Sequence, residues 1–442
     1  MKKKALITTL GCKVNQFESA AFKTAFEEAG LQVVSTKENA DVVVINTCTV
    51  TEKASAQSRQ SVRQALRRNP GARIIITGCY AEIGAKELES EKELQGRDYT
   101  LIGNSNKDNL VSAALGTSRN PNLMLSAVTG EAKEICRLPV RRFGERSRAY
   151  LRVQDGCESF CTYCIVPYTR GPSRSLPIDE VIKQAKVFSQ EGHREIVITG
   201  IHLGYYGADL SPREDIVSLV DKLCKETPDT CYRISSLEPL EITDKLLSLM
   251  KEKQNIQPHL HIPLQSGNDE ILAKMNRRYT TDQFKAVIER CHNQVPDLAV
   301  GIDILAGFPG ETDAHFTSAL NFLAEIEFTY LHVFPYSIRP GTVAATFTDQ
   351  LPKKTKEKRV AELRELSDSR RDQFYKQQLG KIKTVLVEGK RDKDGHLKGF
   401  TDNYIAVRFD GPDVLLNNFA TVKLESFHKN YVLGARVNKN ES

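Results

Sequence analysis

Three cysteines stand close together near the middle of the chain in the spacing C-x3-C-x2-C. They are Cys157, Cys161 and Cys164, and they directly follow a predicted strand over residues 150–154. Three thiolates on one tight loop can bind three corners of a 4Fe-4S cube and leave one iron open. A tetrahedral zinc site needs a fourth ligand, and this segment has no further cysteine or histidine to supply it. We therefore expect a 4Fe-4S cluster here; three buried or zinc-binding cysteines are the alternative.

A second set of cysteines is dispersed in sequence but regular in context. Cys12, Cys48 and Cys79 each come at the end of a predicted parallel strand. In a doubly wound sheet the carboxyl ends of the strands share one edge, and ligands bind there. We expect the three thiols to converge and to bind a second 4Fe-4S cluster through three ligands. The alternative is that each is a small apolar residue packed under a loop, because free cysteine is among the most buried residue types.

The other cysteines and the composition indicate the class of protein. Cys136, Cys224, Cys231 and Cys291 show no such pattern, and we assign them to packing or to a linker. Ten cysteines in 442 residues are not typical of a secreted disulfide framework. The sequence also has no apolar run of the roughly 18 residues that a membrane helix needs. We therefore expect a protein of the reducing cytoplasm without membrane contact, whose net charge of +6 permits nucleic-acid binding without demonstrating it.

The elements that must position these cysteines follow an α/β pattern with a small β domain at the end. Up to about residue 115, short β-branched runs alternate with helical stretches, which predicts a doubly wound parallel sheet. Six further strand and helix units predict a partial (β/α)6 barrel, and short strands after Gly380 predict a small all-β domain suited to an open barrel. The predicted organisation is an N-terminal domain over 1–120, a basic linker over 121–147, the partial barrel over 148–375 and the β domain over 376–442.

Together these motifs resemble a known family. The loop from Cys157 to Cys164 in a six-unit barrel resembles the radical S-adenosylmethionine superfamily. With the three earlier cysteines in front and a terminal β domain that resembles the OB-like TRAM domain behind, essentially the whole chain is similar to the methylthiotransferases. Within that family, Leu10-Gly11-Cys12-Lys13-Val14-Asn15 resembles the branch that methylthiolates N6-threonylcarbamoyladenosine beside the tRNA anticodon.

The resemblance implies two 4Fe-4S clusters with different roles, and S-adenosylmethionine as cofactor. One S-adenosylmethionine would donate a methyl group to sulfur held at the second cluster. Another would be cleaved at the first cluster to a 5'-deoxyadenosyl radical, which takes the hydrogen from adenine C2. The cofactors carry this chemistry, and the protein must position them and exclude water and oxygen.

Six residues are expected to contact the cofactor or substrate, most of them at the carboxyl ends of barrel strands, where function is usually located. They are Tyr163, Gly200, Ser235, Glu238, Gln265 and Arg339. Tyr163 would lie against the cofactor's adenine, with core packing as the alternative. Gly200 stands where the superfamily often has Gly-Gly-Glu, so a backbone contact is expected there. Arg339 would suit the carboxylate of either the cofactor or the substrate base, with a solvated ion pair as the alternative.

The terminal β domain is expected to bind RNA. Residues 376–442 contain twelve Lys or Arg against eight Asp or Glu. A basic barrel with exposed aromatic side chains is a reasonable RNA platform, although some of these aromatics could serve core packing. The aromatics in question are Phe400, Tyr404, Phe427 and Tyr431. The expected partners are the tRNA anticodon stem-loop and an electron donor such as flavodoxin or ferredoxin; the sulfur donor is left open.

Two kinds of alternative remain at this point. The same chemistry could act on isopentenylated adenosine or on a ribosomal protein, although a basic terminal domain disfavours a protein substrate. From a different class, the chain could be a non-catalytic iron-sulfur protein that binds RNA or carries electrons. Such a protein would have no need for a cofactor-sized cavity.

Overall fold

The N-terminal part of the chain forms one parallel sheet with helices on both faces. The computed structural model describes residues 2–35, 38–117, 134–144 and 146–437. The strands are β1 (Lys4–Thr9), β2 (Gln32–Val34), β3 (Val42–Thr47), β4 (Arg73–Gly78) and β5 (Tyr99–Ile102). The helices are α1 (Lys13–Glu28), α2 (Glu52–Arg68), α3 (Cys79–Ile83), α4 (Ala85–Glu89) and α5 (Leu110–Leu115). The strand order β2-β1-β3-β4-β5, with every neighbouring pair parallel, confirms the predicted doubly wound sheet.

Alternation of side chains along β3 explains why helices cover both faces of this sheet. Val43 and Ile45 pack with Val62 and Leu66 of α2 in one apolar cluster. Their neighbours Val42 and Val44 point the other way and pack with Phe22 and Phe26 of α1. A strand buried on both faces reads as a continuous β-branched run, which is the pattern of this segment.

The central part of the chain is a partial barrel of six parallel strands. Its main strands are β6 (Arg148–Arg152), β9 (Glu195–Thr199), β10 (Cys231–Ile234), β11 (His259–Gln265), β12 (Ala299–Ala306) and β13 (Tyr330–Pro335), and a short antiparallel pair, β7 (Gln154–Asp155) and β8 (Arg174–Ser175), follows β6. The helices are α6 (Val166–Arg170), α7 (Ile178–Gln190), α8 (Ile216–Glu226), α9 (Asp244–Glu252), α10 (Asp269–Lys274), α11 (Thr281–Gln294), α12 (Asp313–Glu325) and α13 (Lys353–Gln377). Six units are present, as predicted.

The six strands hydrogen-bond as two sheets of three. The orders are β10-β9-β6 and β11-β12-β13. Between the halves, the Tyr232 carbonyl accepts from Gln257 at 2.8 Å and the Leu237 N–H donates to the His261 carbonyl at 3.1 Å. The barrel is therefore open on the side between β6 and β13, and α1 packs beside β6 through Phe17, which joins the barrel's apolar core.

The C-terminal part is a small barrel of five strands. They are β14 (Ile382–Val387), β15 (Leu397–Thr401), β16 (Ala406–Phe409), β17 (Phe419–His428) and β18 (Tyr431–Arg436). The prediction of an open barrel was wrong, because β14 pairs with β17 and β16 pairs with β18, so the sheet closes on itself. Asp297 of the central barrel holds this small barrel in place, with Lys381 at 2.6 Å and Lys383 at 2.9 Å.

The predicted basic linker lies partly outside the described residues. Two of its described arginines are paired with carboxylates: Arg137 contacts Glu180 at 3.1 Å, and Arg141 contacts Glu191 at 3.1 Å. Phe143 is buried in the barrel core. We keep the division of the chain at residues 120, 147 and 375 as a proposal. None of the described helices is long and apolar enough to cross a membrane.

Candidate functional site

The loop with the first three cysteines lies at the carboxyl ends of the barrel strands, between β7 and α6. The Cys157 N–H donates to the Gly171 carbonyl at 3.0 Å, and the Cys164 N–H to the Cys161 carbonyl at 2.9 Å. Gly156 starts the loop with φ +81°, and a Cβ there would lie 1.8 Å from a backbone oxygen, so only glycine fits. The three thiols share a cavity of about 190 Å³, which we call the thiol cavity.

Two cationic side chains contact these thiols. His202 Nδ1 lies 3.5 Å from Cys157 Sγ, and Arg277 Nη1 donates to Cys161 Sγ at 3.4 Å. Burial opposes charge on His202, but its contacts with Cys157 and Glu241 raise its pKa to about 10. Burial likewise opposes ionisation of Cys157, and the hydrogen bond with His202 outweighs it and lowers the pKa of the thiol. The loop can therefore hold negative charge on sulfur.

The second set of cysteines converges as the sheet topology predicts. Cys12, Cys48 and Cys79 follow β1, β3 and β4, and each thiol interacts electrostatically with the other two. Gly11 adopts φ +92°, and a Cβ there would lie 2.7 Å from Cys48 Sγ, so the close approach of the strand ends requires glycine. Burial raises the pKa of Cys48 to about 11, as expected for a thiol in an apolar pocket.

Both sets fit an iron-sulfur cube better than a single metal ion. Within the described residues, no three His, Cys, Asp or Glu side chains lie close enough to hold one ion. A 4Fe-4S cube presents separate iron atoms to separate thiolates and does not require such closeness. Each set offers three thiols on rigid strand ends or a tight loop, which is the donor type that these clusters use.

A buried ionic network joins the two sets. Arg170 donates from Nη1 to Asp155 Oδ1 at 2.8 Å and to Glu18 Oε1 at 3.2 Å, and from Nη2 to Asn15 Oδ1 at 2.8 Å. Lys107 pairs with Glu18 on the N-terminal side. Burial opposes ionisation of Glu18, but Lys107 and Arg170 lower the pKa of the carboxyl. One charged network thus fixes the position of the Asn15 helix relative to the loop of the first cysteines.

A larger cavity of about 480 Å³ lies inside the barrel, and we call it the central cavity. Tyr150, Val197, Arg233, His261 and His332, from five of the six main strands, line it. Its size falls within the roughly 300 to 1,000 Å³ of small-molecule sites.

One wall of the central cavity borders the thiol cavity, and another includes the residue that follows Cys12. His261 lies on its wall and contacts Ser236 Oγ at 2.8 Å and Asp303 Oδ1 at 3.0 Å. Ser236 and Asp303 line the thiol cavity, so one layer of side chains separates the two spaces. On another side the wall includes Lys13, the residue after Cys12. A ligand in the central cavity is therefore separated from the thiol cavity by one layer of side chains, and on another wall it can contact the residue next to Cys12.

The six predicted contact residues lie in four different places. Tyr163, Glu238 and Gln265 line the thiol cavity, and Ser235 lines the central cavity. Gly200 packs against Gln154. A Cβ at this position would lie only 2.8 Å from Gln154 Oε1, which is too close. Arg339 lies elsewhere: its Nη2 donates to Thr49 Oγ1 at 3.0 Å and to Ser55 Oγ at 2.9 Å, beside the Cys48 loop.

Sequence reasoning missed several residues of the site. His202 follows the predicted contact Gly200 by two positions at the end of β9, so its place in sequence was a usable signal. Arg277 follows the short helix α10 and reaches the thiols over a long sequence distance, for which the sequence gives no signal. Asp303 lies within a predicted strand, where its sequence context does not mark it as a site residue.

The aromatic side chains of the small barrel are not the exposed platform that was expected. All four are half-buried. Phe400 and Tyr404 line the central cavity, where they stack on each other with centroids 4.9 Å apart. Phe427 packs against Tyr375. The small barrel therefore forms part of the wall of the site.

Comparison with protein families agrees with this geometry. The chain matches the Radical SAM superfamily over residues 151–323, the Uncharacterized protein family UPF0004 over residues 4–97 and the TRAM domain over residues 376–437. Among solved structures, it is similar to the radical S-adenosylmethionine methyltransferase TsrM from Kitasatospora setae with cobalamin and a [4Fe-4S] cluster bound. That likeness has a TM-score of 0.55 at 13% identity, covers 78% of this chain and 77% of that one, and shows the fold.

Curated relatives match almost the full length. The chain is 37% identical to the threonylcarbamoyladenosine tRNA methylthiotransferase MtaB of Bacillus subtilis, covering 94% of this chain and 92% of the relative. It is 36% identical to the protein of the same name from Aquifex aeolicus, covering 92% and 97%. It is 34% identical to the tRNA-2-methylthio-N(6)-dimethylallyladenosine synthase of Fusobacterium nucleatum, covering 96% and 97%.

Proposed function

The chain belongs to the tRNA methylthiotransferase family of radical S-adenosylmethionine enzymes, and from that premise we propose that its substrate is N6-threonylcarbamoyladenosine beside the anticodon. The relatives from B. subtilis and A. aeolicus, both named for this nucleoside, support the choice of substrate. The short segment Gly11-Cys12-Lys13-Val14-Asn15 supports the same branch.

The observation that carries the proposal is the position of the central cavity. Insertion of sulfur at one carbon requires that carbon to be within reach of two different reactive centres. The wall that holds Lys13 lies next to Cys12, and the wall that holds His261 lies next to the thiol cavity. A base held in this cavity would lie near both walls, which favours a catalytic function over electron transfer or simple RNA binding.

We assign the first cluster to Cys157, Cys161 and Cys164 and the second to Cys12, Cys48 and Cys79. When bound, the clusters and S-adenosylmethionine supply the radical chemistry and the methylated sulfur that the reaction needs. Tyr163, Glu238 and Gln265 border the thiol cavity, and we assign them to orienting the cofactor. We assign Ser235 to the central cavity side of the same wall.

Other residues of the chain stabilise and position the thiolates. Hydrogen bonds from His202 and Arg277 stabilise negative charge on sulfur. Glu238 and Arg277 are paired, so the guanidinium is fixed between a carboxylate and a thiol. Arg339 ties the end of β13 to the Cys48 loop, and we assign it to positioning that loop.

The protein modifies tRNA, and we propose the anticodon stem-loop as the part that it contacts. The small barrel both borders the central cavity and carries exposed lysines such as Lys423 and Lys429, so one domain can bind phosphates while its inner face meets the base. A small electron carrier such as flavodoxin or ferredoxin is the proposed reductant.

Mass spectrometry of tRNA nucleosides tests this proposal. Cells without the gene should lack 2-methylthio-N6-threonylcarbamoyladenosine and accumulate its unthiolated precursor, and the plasmid-borne gene should restore it. A Cys157→Ala gene should not restore it. Loss of the methylthiolated isopentenyl nucleoside instead would contradict the proposed substrate. It would favour the dimethylallyladenosine substrate for which the F. nucleatum relative is named.

A further inference from the structure

A carboxylate at the base of the barrel is held between two arginines. Arg233 donates from Nε and Nη2 to the two oxygens of Glu195 at 3.0 and 3.1 Å. Arg148 donates from Nε to Glu195 Oε1 at 2.7 Å. Burial opposes ionisation of Glu195, but the two guanidinium groups lower its pKa to about 2. One negative charge thus faces two positive charges in a buried place, and the cluster keeps a net positive charge.

Each guanidinium also keeps a donor without a partner. Arg233 Nη1 and Arg148 Nη2 are buried and make no hydrogen bond to any described residue. Arg233 is only 3% exposed, and both side chains line the central cavity. His259 Nδ1, on the same wall, is in the same situation. Because a buried donor without a partner is costly, this wall is built for an acceptor that comes with the ligand.

The small barrel fixes these guanidinium groups from below. Tyr404 lies under Arg233, with the guanidinium carbon 4.7 Å from the ring centroid, and Phe400 lies under Arg148 at 5.0 Å. Tyr404 adopts φ +70°, which side-chain-bearing residues rarely adopt, so its position is imposed by the surrounding structure. Stacking on aromatic rings restricts the planes of the two guanidinium groups.

The lining of the cavity is cationic as a whole. Its wall contains five cationic side chains and one carboxylate: Lys13, Arg148, Arg233, Arg364 and Arg371, with Asp368. Burial and the neighbouring charge of Arg233 lower the pKa of His259 well below its ordinary value, so this histidine adds a neutral ring rather than another charge. An apolar N6 substituent would leave the arginine donors unpaired, whereas an anionic one would satisfy them.

We propose that Arg233, assisted by Arg148, binds the free carboxylate of the N6-threonylcarbamoyl group and so selects this nucleoside over adenosines with an apolar N6 substituent. This inference rests on the proposed function. Arg233 offers Nη1 and Arg148 offers Nη2, so a carboxylate can accept one charge-assisted hydrogen bond from each guanidinium. A backbone phosphate of the RNA has the same charge, and the experiment below separates the two anions.

The test compares three synthetic anticodon stem-loops that carry N6-threonylcarbamoyladenosine, its methyl ester or unmodified adenosine. Binding to the reconstituted holoenzyme is measured by fluorescence anisotropy under anaerobic conditions. The variant is Glu195→Gln with Arg233→Gln, which removes one charge of each sign and leaves the net charge of the cavity unchanged. Glu195→Gln alone is the matched control, because it keeps Arg233. Unfolding midpoints and iron content show whether each variant is folded.

The wild type and the Glu195→Gln control should bind the acid more tightly than the ester. The double variant should lose about ten-fold of that preference, while its affinity for the unmodified stem-loop stays unchanged. If the double variant does not fold, Arg233→Lys keeps the charge beside Glu195, lacks a second terminal nitrogen and should lose preference for the acid as well.

Three results would overturn the inference. A folded variant without Arg233 could keep the full preference for the acid over the ester, or the wild type could bind acid and ester equally. An equal loss of affinity for the unmodified stem-loop would assign Arg233 to a phosphate. All three leave the nucleoside analysis of gene-deleted cells untouched. A different methylthiolated nucleoside in that analysis would instead contradict the proposed function itself.

Discussion

Nη1 of Arg170 lies 2.8 Å from Oδ1 of Asp155, and both side chains are almost completely buried. Asp155 precedes Cys157 by two residues, while the other terminal nitrogen of Arg170 donates to Asn15, in the helix that begins after Cys12. Burial opposes ionisation of Asp155, but Arg170 and its neighbouring arginines lower the pKa of the carboxyl. This ion pair therefore couples the positions of the two cysteine sets, which lie far apart in sequence.

Loss of Lys107 should destabilise the N-terminal domain strongly. Lys107 and Glu18 are fully buried partners, and Lys107→Met would leave part of the Glu18 charge uncompensated. Breaking a buried pair from one side costs about 3 to 5 kcal/mol, so the urea midpoint should fall clearly. The control is Lys23→Met, which removes an exposed pair with Glu27 at 3.7 Å and should change stability by less than about 1 kcal/mol. Equal effects of the two variants would contradict a structural role for the network.

Stability should decrease as the pH rises towards neutrality because of Glu82. This carboxyl accepts a hydrogen bond from the Asn104 N–H, and burial raises its pKa to about 7. The pKa of Glu82 in the folded protein is thus higher than the value of about 4.3 in the unfolded chain. Its contribution to the stability of the folded state is complete below a pH of about 4.3 and is lost as the pH rises to 7. The melting temperature of Glu82→Gln relative to wild type should therefore increase between pH 5 and pH 8. The exposed Glu89→Gln is the control, and parallel curves for wild type and Glu82→Gln would contradict the assignment.

Binding of tRNA should depend on salt through the outer face of the small barrel. Lys423 on β17 and Lys429 after it are exposed, whereas the aromatic face meets the central cavity. If both lysines contact phosphates, replacing both by Gln should reduce the slope of log K against log salt by about 0.7 to 0.9 for each contact. Lys285→Gln, on the outer surface of the central barrel, should leave the slope unchanged. A double variant with the wild-type slope would place the phosphate contacts on another surface.

The parts of the site that depend on local pattern were predictable. Runs of β-branched residues fixed the strands to within a few positions, and a parallel sheet must bring its carboxyl ends to one edge. For that reason Cys12, Cys48 and Cys79 could be grouped although they are spread over nearly 70 residues. The tight loop of Cys157, Cys161 and Cys164 is local and needed no tertiary information.

The parts that depend on packing between domains were not predictable. Tyr404 reaches the central cavity because the small barrel closes and docks on Asp297, and neither event has a local sequence signal. The partners of Arg339 could not be predicted, because Thr49 and Ser55 lie almost 300 residues earlier in the chain. The ion pairs of Arg137 and Arg141 in the linker were not predictable either, because carboxylate partners such as Glu180 belong to the region of the later helix α7.

The two sets of three cysteines are proposed to have two different functions beside one cavity. The most direct measurement determines iron, deoxyadenosine and methylthiolated nucleoside on the same folded, reconstituted samples. Wild type should bind about eight irons. The triple variant, with Ala at Cys12, Cys48 and Cys79, should bind about half as many irons as the wild type. It should still cleave S-adenosylmethionine but form no methylthiolated product. Variants with a single Ala at Cys157, Cys161 or Cys164 should not cleave S-adenosylmethionine. Full iron content with retained product in the triple variant would contradict the claim.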